Sequence, residues 1–308
     1  MKIDKSLGVR KPDLLSYFRN RATEILSELK DEYGAKQYKK ITQGLQPAIR
    51  DSRDSLIRAA IQTAQKEEWS TDSTLRAVLM IHHVSNATML EYRHSIWPYE
   101  YMAFSRRIGE LWESFVGTCF HYPVATDLSL EIPPLFSDVR DQLNHEIEAY
   151  IDSLPLSDPQ KAELKDYYRK VWLLVDAGEI KLELDMHFQK GKEHFNVDFK
   201  SGFSSNEKGN TNRLLVVASI YTNIIASDYR NLLLVRSPEE DNNHYLQSLK
   251  RSGLWEVSCG EDTYLTIGGL VGFDLHKWIK ENVEWKTDLG ATMYADLEAS
   301  DLSKYLQW

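Results

Sequence analysis

The stretch Ile180-Lys-Leu-Glu-Leu-Asp-Met-His-Phe-Gln-Lys-Gly-Lys-Glu-His-Phe-Asn-Val-Asp-Phe-Lys200 decides the fold. Two alternating runs flank Gly191-Lys192, and Gly-X is a favoured two-residue hairpin loop because glycine accepts positive φ at the first turn position. That loop sets the register. Lys190 is expected opposite Glu193, Phe188 opposite Phe195, Met186 opposite Val197 and Leu184 opposite Phe199, an apolar side suited to a core. The other side sets His187 opposite Asn196, Asp185 opposite Asp198 and Glu183 opposite Lys200. Facing residues have Cβ atoms about 4.5–5.5 Å apart, where like charges destabilise a sheet unless something offsets them. A divalent cation would offset them, and oxygen-only ligands with waters left in place suit Mg²⁺. The competing reading is an ordinary solvated face with one surface ion pair. Against it, the acids interrupt strands made mainly of Leu, Met, Phe and Val, where Asp is disfavoured.

Asp185, twelve intervening residues and then Asp198-Phe-Lys200 resemble the PD-(D/E)xK nuclease core, with Leu184 standing where the motif has Pro. The resemblance implies an α/β fold with a restriction-endonuclease-like core, a mixed central sheet flanked by helices. It implies that Asp185, Asp198 and the Phe199 carbonyl hold Mg²⁺, and that Lys200 orients a water or shares developing charge. It also implies a carboxylate from a preceding helix. The amphipathic segment 104–118 offers Glu113, close to Trp112 and Phe115, with Glu110 in reserve; the alternative is that both are exposed helix carboxylates. The expected catalytic set is therefore Asp185, Asp198, Lys200 and Glu113, and the expected metal set is Asp185, Asp198, Phe199 and Glu113. All three hairpin residues are expected to project from its non-core face.

Residues 201–211 read as a loop and 212–226 as a buried helix capped by Asn210 or Thr211. A helix N-terminus offers unpaired N–H groups, so Lys208, Asn210, Asn212 and Arg213 form a candidate DNA-contacting edge, with simple capping as the alternative. Asn231 to Arg236 reads as a buried strand, Pro238 to Lys250 as a helix, and Leu254 to Ser258 as another strand. Residues 11–94 are helical in pattern. The expected organisation is a helical subdomain over 1–100, a nuclease core over 101–280 with a helical insertion at about 136–169, and a C-terminal extension over 281–308.

Composition narrows the function classes. A chain of 308 residues with 42% hydrophobic content can bury a substantial core. Net charge is −9, which argues against nonspecific coating of nucleic acid, yet residues 1–60 carry thirteen Lys and Arg against eight Asp and Glu. Within them Lys36, Lys39, Lys40, Arg50, Arg53 and Arg58 could track a DNA backbone or form a solvated helical surface. Cys119 and Cys259 are too few for a disulfide framework. His82-His83 lies in an apolar helical stretch without ligands at metal spacing and is read as packing or capping. No signal peptide or membrane-length apolar run is visible, so a soluble cytoplasmic protein without membrane association is expected. Gly268-Gly-Leu-Val-Gly272 lacks a following Lys-Ser, so no nucleotide cofactor is expected.

By resemblance, the expected function is a Mg²⁺-dependent endonuclease cutting double-stranded DNA at a specific site, of the type II restriction kind. The alternatives are a repair or phage-type nuclease without sequence specificity, or a non-catalytic DNA-binding protein. Cutting both strands of a palindromic site calls for two equivalent centres, and one chain carries one set. A homodimer is expected, with helices from 1–100 or 136–169 at its contact.

Overall fold

The computed structural model describes residues 10–175, 180–203, 207–225 and 229–308; residues 204–206 of the expected loop, Ala226 of the expected helix and the first nine residues lie outside these. The chain forms an α/β protein with a mixed five-stranded sheet and flanking helices. It divides into two units, residues 1–128 with 260–308, and residues 129–259.

The first unit opens with α1 (Lys11–Tyr33), α2 (Tyr38–Lys66), α3 (Thr71–Ile96) and α4 (Tyr101–His121). Ser70 caps α3 by accepting the Ser73 N–H. Along α3 every residue from Ala77 to Leu90 is buried, so this helix is surrounded rather than one-sided. His82 and His83 take part in that burial, as the packing interpretation expects. His82 accepts from Arg53 at Nε2 (2.9 Å), which makes Nδ1 the donor to Thr118 Oγ1 (2.7 Å). His83 bonds Asp288 Oδ2 at 2.7 Å, and Lys11 meets the other oxygen at 2.6 Å.

The second unit begins where β1 (Leu128–Leu130) starts the sheet. It continues through α5 (Phe136–Ser153), α6 (Asp158–Val175), β2 (Met186–Lys190), β3 (Glu193–Lys200), α7 (Lys208–Ile220), β4 (Tyr229–Val235), α8 (His244–Arg251) and β5 (Glu256–Cys259). The strands lie in sequence order. β2 and β3 are antiparallel, whereas β3, β4 and β5 run parallel and are joined by α7 and α8. Tight loops make antiparallel neighbours; helical crossovers make parallel ones. Gly191 has φ +62° while Lys192 does not enter the positive region, the pattern of a type II′ turn.

The expected register holds from Lys190↔Glu193 to Met186↔Val197, and Gln189 faces His194 between them. It stops there. β2 starts at Met186, so Asp185 and Glu183 precede the strand and do not join the ladder. The polar side is not the non-core face expected. His187, Asn196 and Asp198 are buried along with the apolar side, because a central strand in a partly parallel sheet is covered on both faces. α7 and α8 supply one cover, packing Leu214, Val217, Leu246 and Leu249 with Leu233 and Val235 of β4.

Three boundaries differ from the sequence reading. α7 begins at Lys208, so Asn210 and Thr211 lie in its first turn instead of capping it, and the helix passes into a π-turn at Tyr221–Ile225. The expected helix from Pro238 splits into a 3-10 turn, Glu239–Asp241, and α8, because Asn243 caps the Tyr245 N–H and starts a new helix there. Residues 260–308 rejoin the first unit as α9 (Glu261–Val271), α10 (Leu275–Asn282), α11 (Trp285–Asp288) and α12 (Ala291–Ala299). α4 also belongs to that unit, so the division falls at 128 and 259, not at 100 and 280. The anchors are specific: Trp112 donates to Tyr264 Oη at 2.9 Å, and the Phe115 ring meets those of Trp278 and Trp308 at 5.8 and 4.8 Å.

Candidate active site

The end of β3 brings Asp198 and Lys200 to one side of the strand, two residues apart as the strand period requires. Asp198 is fully buried. Its Oδ1 is in ion contact with Lys200, and Arg213 from the first turns of α7 meets Oδ2 at 3.2 Å. Among the described residues Oδ1 nonetheless has no aligned hydrogen-bond donor. Lys200 also donates to the Phe199 carbonyl at 3.1 Å.

Asp185 reaches the same place by another route. Its Oδ2 accepts the Phe199 N–H at 2.7 Å, tying the segment before β2 to β3 where the ladder has ended. By surface area Asp185 is exposed, but the sheet behind its carboxyl still removes enough water to matter. That desolvation and, next, the Asp198 charge hold its pKa above the ordinary carboxylate value, against the opposing pull of Lys200, the Phe199 N–H and Arg213. Two carboxylates therefore share one region with Lys200 and Arg213, and the cations sit on Asp198 while Asp185 is left partly desolvated beside its charge.

A polar chain missed in the sequence secures this segment. The Leu184 N–H donates to His187 Nε2 at 2.8 Å, so Nε2 carries no proton and Nδ1 donates to Asn196 Oδ1, also at 2.8 Å. Asn196 Nδ2 donates to Asn231 Oδ1 at 2.9 Å, and Asn231 Nδ2 donates to Thr222 Oγ1 and the Leu254 carbonyl, each at 3.1 Å. Every donor direction agrees with the next. Burial lowers the His187 pKa, in keeping with the neutral ring this chain requires. The signal available in sequence was the facing pair His187 and Asn196, one step along the face from Asp198.

The other expected residues are placed as follows. Arg213 is turned onto Asp198 and, at 3.4 Å, onto the Glu183 carbonyl, so in this state it serves the acid pair. Asn210 bonds Glu207 at 3.1 Å and Arg213 at 3.4 Å. Lys208 and Asn212 are exposed on the first turn of α7. Glu183 is exposed and does not face Lys200 in a ladder. Glu113 lies on α4 in the first unit, half-buried, while Glu110 is exposed and paired with Arg106 and Arg107.

The donor set can be tested against a divalent cation. Asp185, Asp198 and the Phe199 carbonyl supply only oxygen, and Asp198 Oδ1 is a buried acceptor that only the Lys200 ammonium contacts among the described residues. That is hard-cation chemistry, and Mg²⁺ is commonly held by one or two carboxylates with waters completing its shell. Among the described residues no group of three or more His, Cys, Asp or Glu converges, so the protein's own share is two carboxylates and a carbonyl. No family model, curated protein or solved structure matches this chain. No helix among the described residues is long and apolar enough to cross a membrane.

Proposed function

We propose that the second unit is the catalytic part of a Mg²⁺-dependent nuclease with a restriction-endonuclease-like core, acting on double-stranded DNA. The observation that carries this reading is the juxtaposition of Asp185 and Asp198 at the end of β3, with Lys200 on Asp198. Asp185, Asp198 and the Phe199 carbonyl would hold the metal. When bound, Mg²⁺ supplies positive charge to phosphoryl oxygens and eases deprotonation of water. Lys200, already beside the acids, would present its ammonium to the attacking water or to the charge developing on the phosphoryl group. Arg213 and the exposed Lys208 and Asn212 would meet the DNA backbone, Arg213 exchanging Asp198 for a phosphate.

Purified protein incubated with plasmid DNA should cut in Mg²⁺, stop cutting in excess EDTA, and lose activity by orders of magnitude in Lys200→Ala. Full cleavage in EDTA would sink the assignment. Discrete fragments from several plasmids would support a type II restriction enzyme; smears would favour a repair or phage-type nuclease. Light scattering at twice the chain mass of 35.7 kDa would support the homodimer that double-strand cutting calls for. One observation favours a rival: Lys200 and Arg213 already neutralise Asp198, as in a structural ion cluster. A protein that binds DNA but cuts none under any divalent cation would be read that way.

A further inference from the structure

Over residues 158–171 of the second unit, helix α6 buries no side chain. One side of it lies along α5: Tyr168 is half-buried there, Lys165 meets Asp152 at 2.7 Å and Arg169 meets Glu148 at 2.9 Å, so the two helices form an antiparallel hairpin. Exposed ion pairs contribute little, and most of a helix's stability comes from packing an apolar face. Such a face is present and uncovered. Leu164, Tyr167 and Val171 are 40, 61 and 53% exposed and follow one another at spacings of three and four, the seam of a helix pair. At 3.6 residues per turn this stripe lies about a quarter turn from Lys165 and Tyr168, so α6 can hold α5 and a second helix at once.

The charges beside the stripe are complementary to those of a second copy. If two α6 helices lie antiparallel, with Leu164 on the partner's Tyr167 and Val171 on the partner's Gln160, the position flanking the seam brings Glu163 beside the partner's Lys170. The two-fold axis makes that pair twice. Glu163 is exposed, and Lys170 meets the exposed Asp166 of its own helix at 2.6 Å, a contact that costs little to exchange. Lys170 also leans over the stripe, with Nζ 4.9 Å from the Tyr167 ring centroid. A parallel pairing would set Glu163 against Tyr168 and give no opposite charges, so charge selects the antiparallel arrangement.

We propose that α6 is a self-association surface, along which two copies of this chain pair antiparallel through Leu164, Tyr167 and Val171. The pairing does not rest on the nuclease reading, which cleavage assays test separately; where both hold, it supplies the contact of the homodimer. Sedimentation of the full chain in EDTA without DNA should show the mass rising with concentration from 35.7 kDa toward twice that value, with a dissociation constant on the order of micromolar, as a small interface gives. Tyr167→Glu places charge in both central layers and should raise that constant at least about a hundredfold. Since Tyr167 is exposed in the single chain, the melting temperature of dilute, monomeric protein should not change. Glu163→Lys and Lys170→Glu should each weaken association about tenfold by setting like charges face to face. An equimolar mixture of these two variants should regain the wild-type affinity, because the mixed pair alone has opposite charges at both contacts. A monomer throughout the range, a dimer indifferent to Tyr167→Glu, or a mixture no tighter than its components overturns the proposal. So does a fall of several degrees in the dilute melting temperature of Tyr167→Glu, which would mean that the stripe packs on its own chain.

Discussion

Replacing Asp198 by Asn tests the site through stability as well as activity. The Asp198 side chain is 1% exposed, and its two cationic partners are unequal: Lys200 is 18% exposed and Arg213 is 39% exposed. Removing one partner of a buried pair typically costs about 3–5 kcal/mol, because the other charge stays buried without compensation. Arg213 is open enough for water to take over, so its share falls to about 1 kcal/mol or less. Asn keeps the shape and one acceptor oxygen. The net expectation is about 2–3 kcal/mol, mostly from Lys200, which for a unit this size lowers the melting temperature by about 6–12 °C. The sequence alone argues the opposite, an intact fold, because it places Asp198 on a non-core face. Calorimetric melts of wild type, Asp198→Asn, Lys200→Met and the double variant in EDTA would measure it. The cost of Asp198→Asn should shrink to about 1 kcal/mol or less in the Lys200→Met background, since the stranded charge is then gone. Melting within a degree of wild type, or a cost unchanged by Lys200→Met, refutes the reasoning.

Three further outcomes follow from the same geometry. Asp185→Asn should stabilise the metal-free protein by about 0.5 kcal/mol at neutral pH while abolishing cleavage, since it removes a like charge but leaves an acceptor for the Phe199 N–H. The sign agrees with the raised Asp185 pKa: the native state holds this proton more tightly, so its stabilising contribution at low pH is lost as pH rises through that value. Mg²⁺ at about a hundred times its dissociation constant should raise the stability of the wild type by about 2.7 kcal/mol and that of Asp198→Asn far less, read as urea midpoints with and without EDTA. His82, His83 and His187 have pKa values lowered by burial, so stability should fall as pH drops below 6.5, by up to about 1.4 kcal/mol per pH unit for each. Equal urea midpoints at pH 7.5 and 5.5 would contradict three buried neutral rings.

What could be read from sequence was what depends on local chemistry. Gly191 fixed a two-residue turn, and the turn fixed every pair from Lys190 to Met186. The strand period then placed Asp198 and Lys200 together, and helical periodicity marked 11–94 as helical without dividing it into α1, α2 and α3, and set 104–118 inside α4. What escaped depends on partners distant in sequence. Burial of Asp198 follows from β4 and α7 closing over β3, and no pattern within the hairpin distinguishes a covered polar face from a wet one. The return of residues 260–308 to the first unit depends on contacts such as Trp112 with Tyr264 and His83 with Asp288, each joining segments more than 150 residues apart.

The same distinction bears on how the acid pair can work. Asp198 and Lys200 are adjacent by strand geometry, whereas Arg213 arrives from a helix and Asp185 from the segment before β2. Without a cation the buried Asp198 is compensated by the chain's own Lys200 and Arg213, and Asp185, partly desolvated and beside the Asp198 charge, keeps a raised pKa. A divalent ion that bound both carboxylates would satisfy Asp185 and release Lys200 and Arg213 from full-time pairing. Both cations would then be available to an anionic substrate at the moment the metal makes the site competent. Coupling of this kind predicts that Mg²⁺ and DNA strengthen each other's binding, and that the mutual gain is lost when Arg213 is replaced by Met, although each ligand still binds alone. Calorimetry of the inactive Lys200→Ala protein, with Mg²⁺ titrated in the presence and absence of duplex DNA, would read the part of that coupling that Arg213 carries; equal Mg²⁺ affinity in the two titrations would mean that Arg213 on Asp198 is structural and not held in reserve for phosphate.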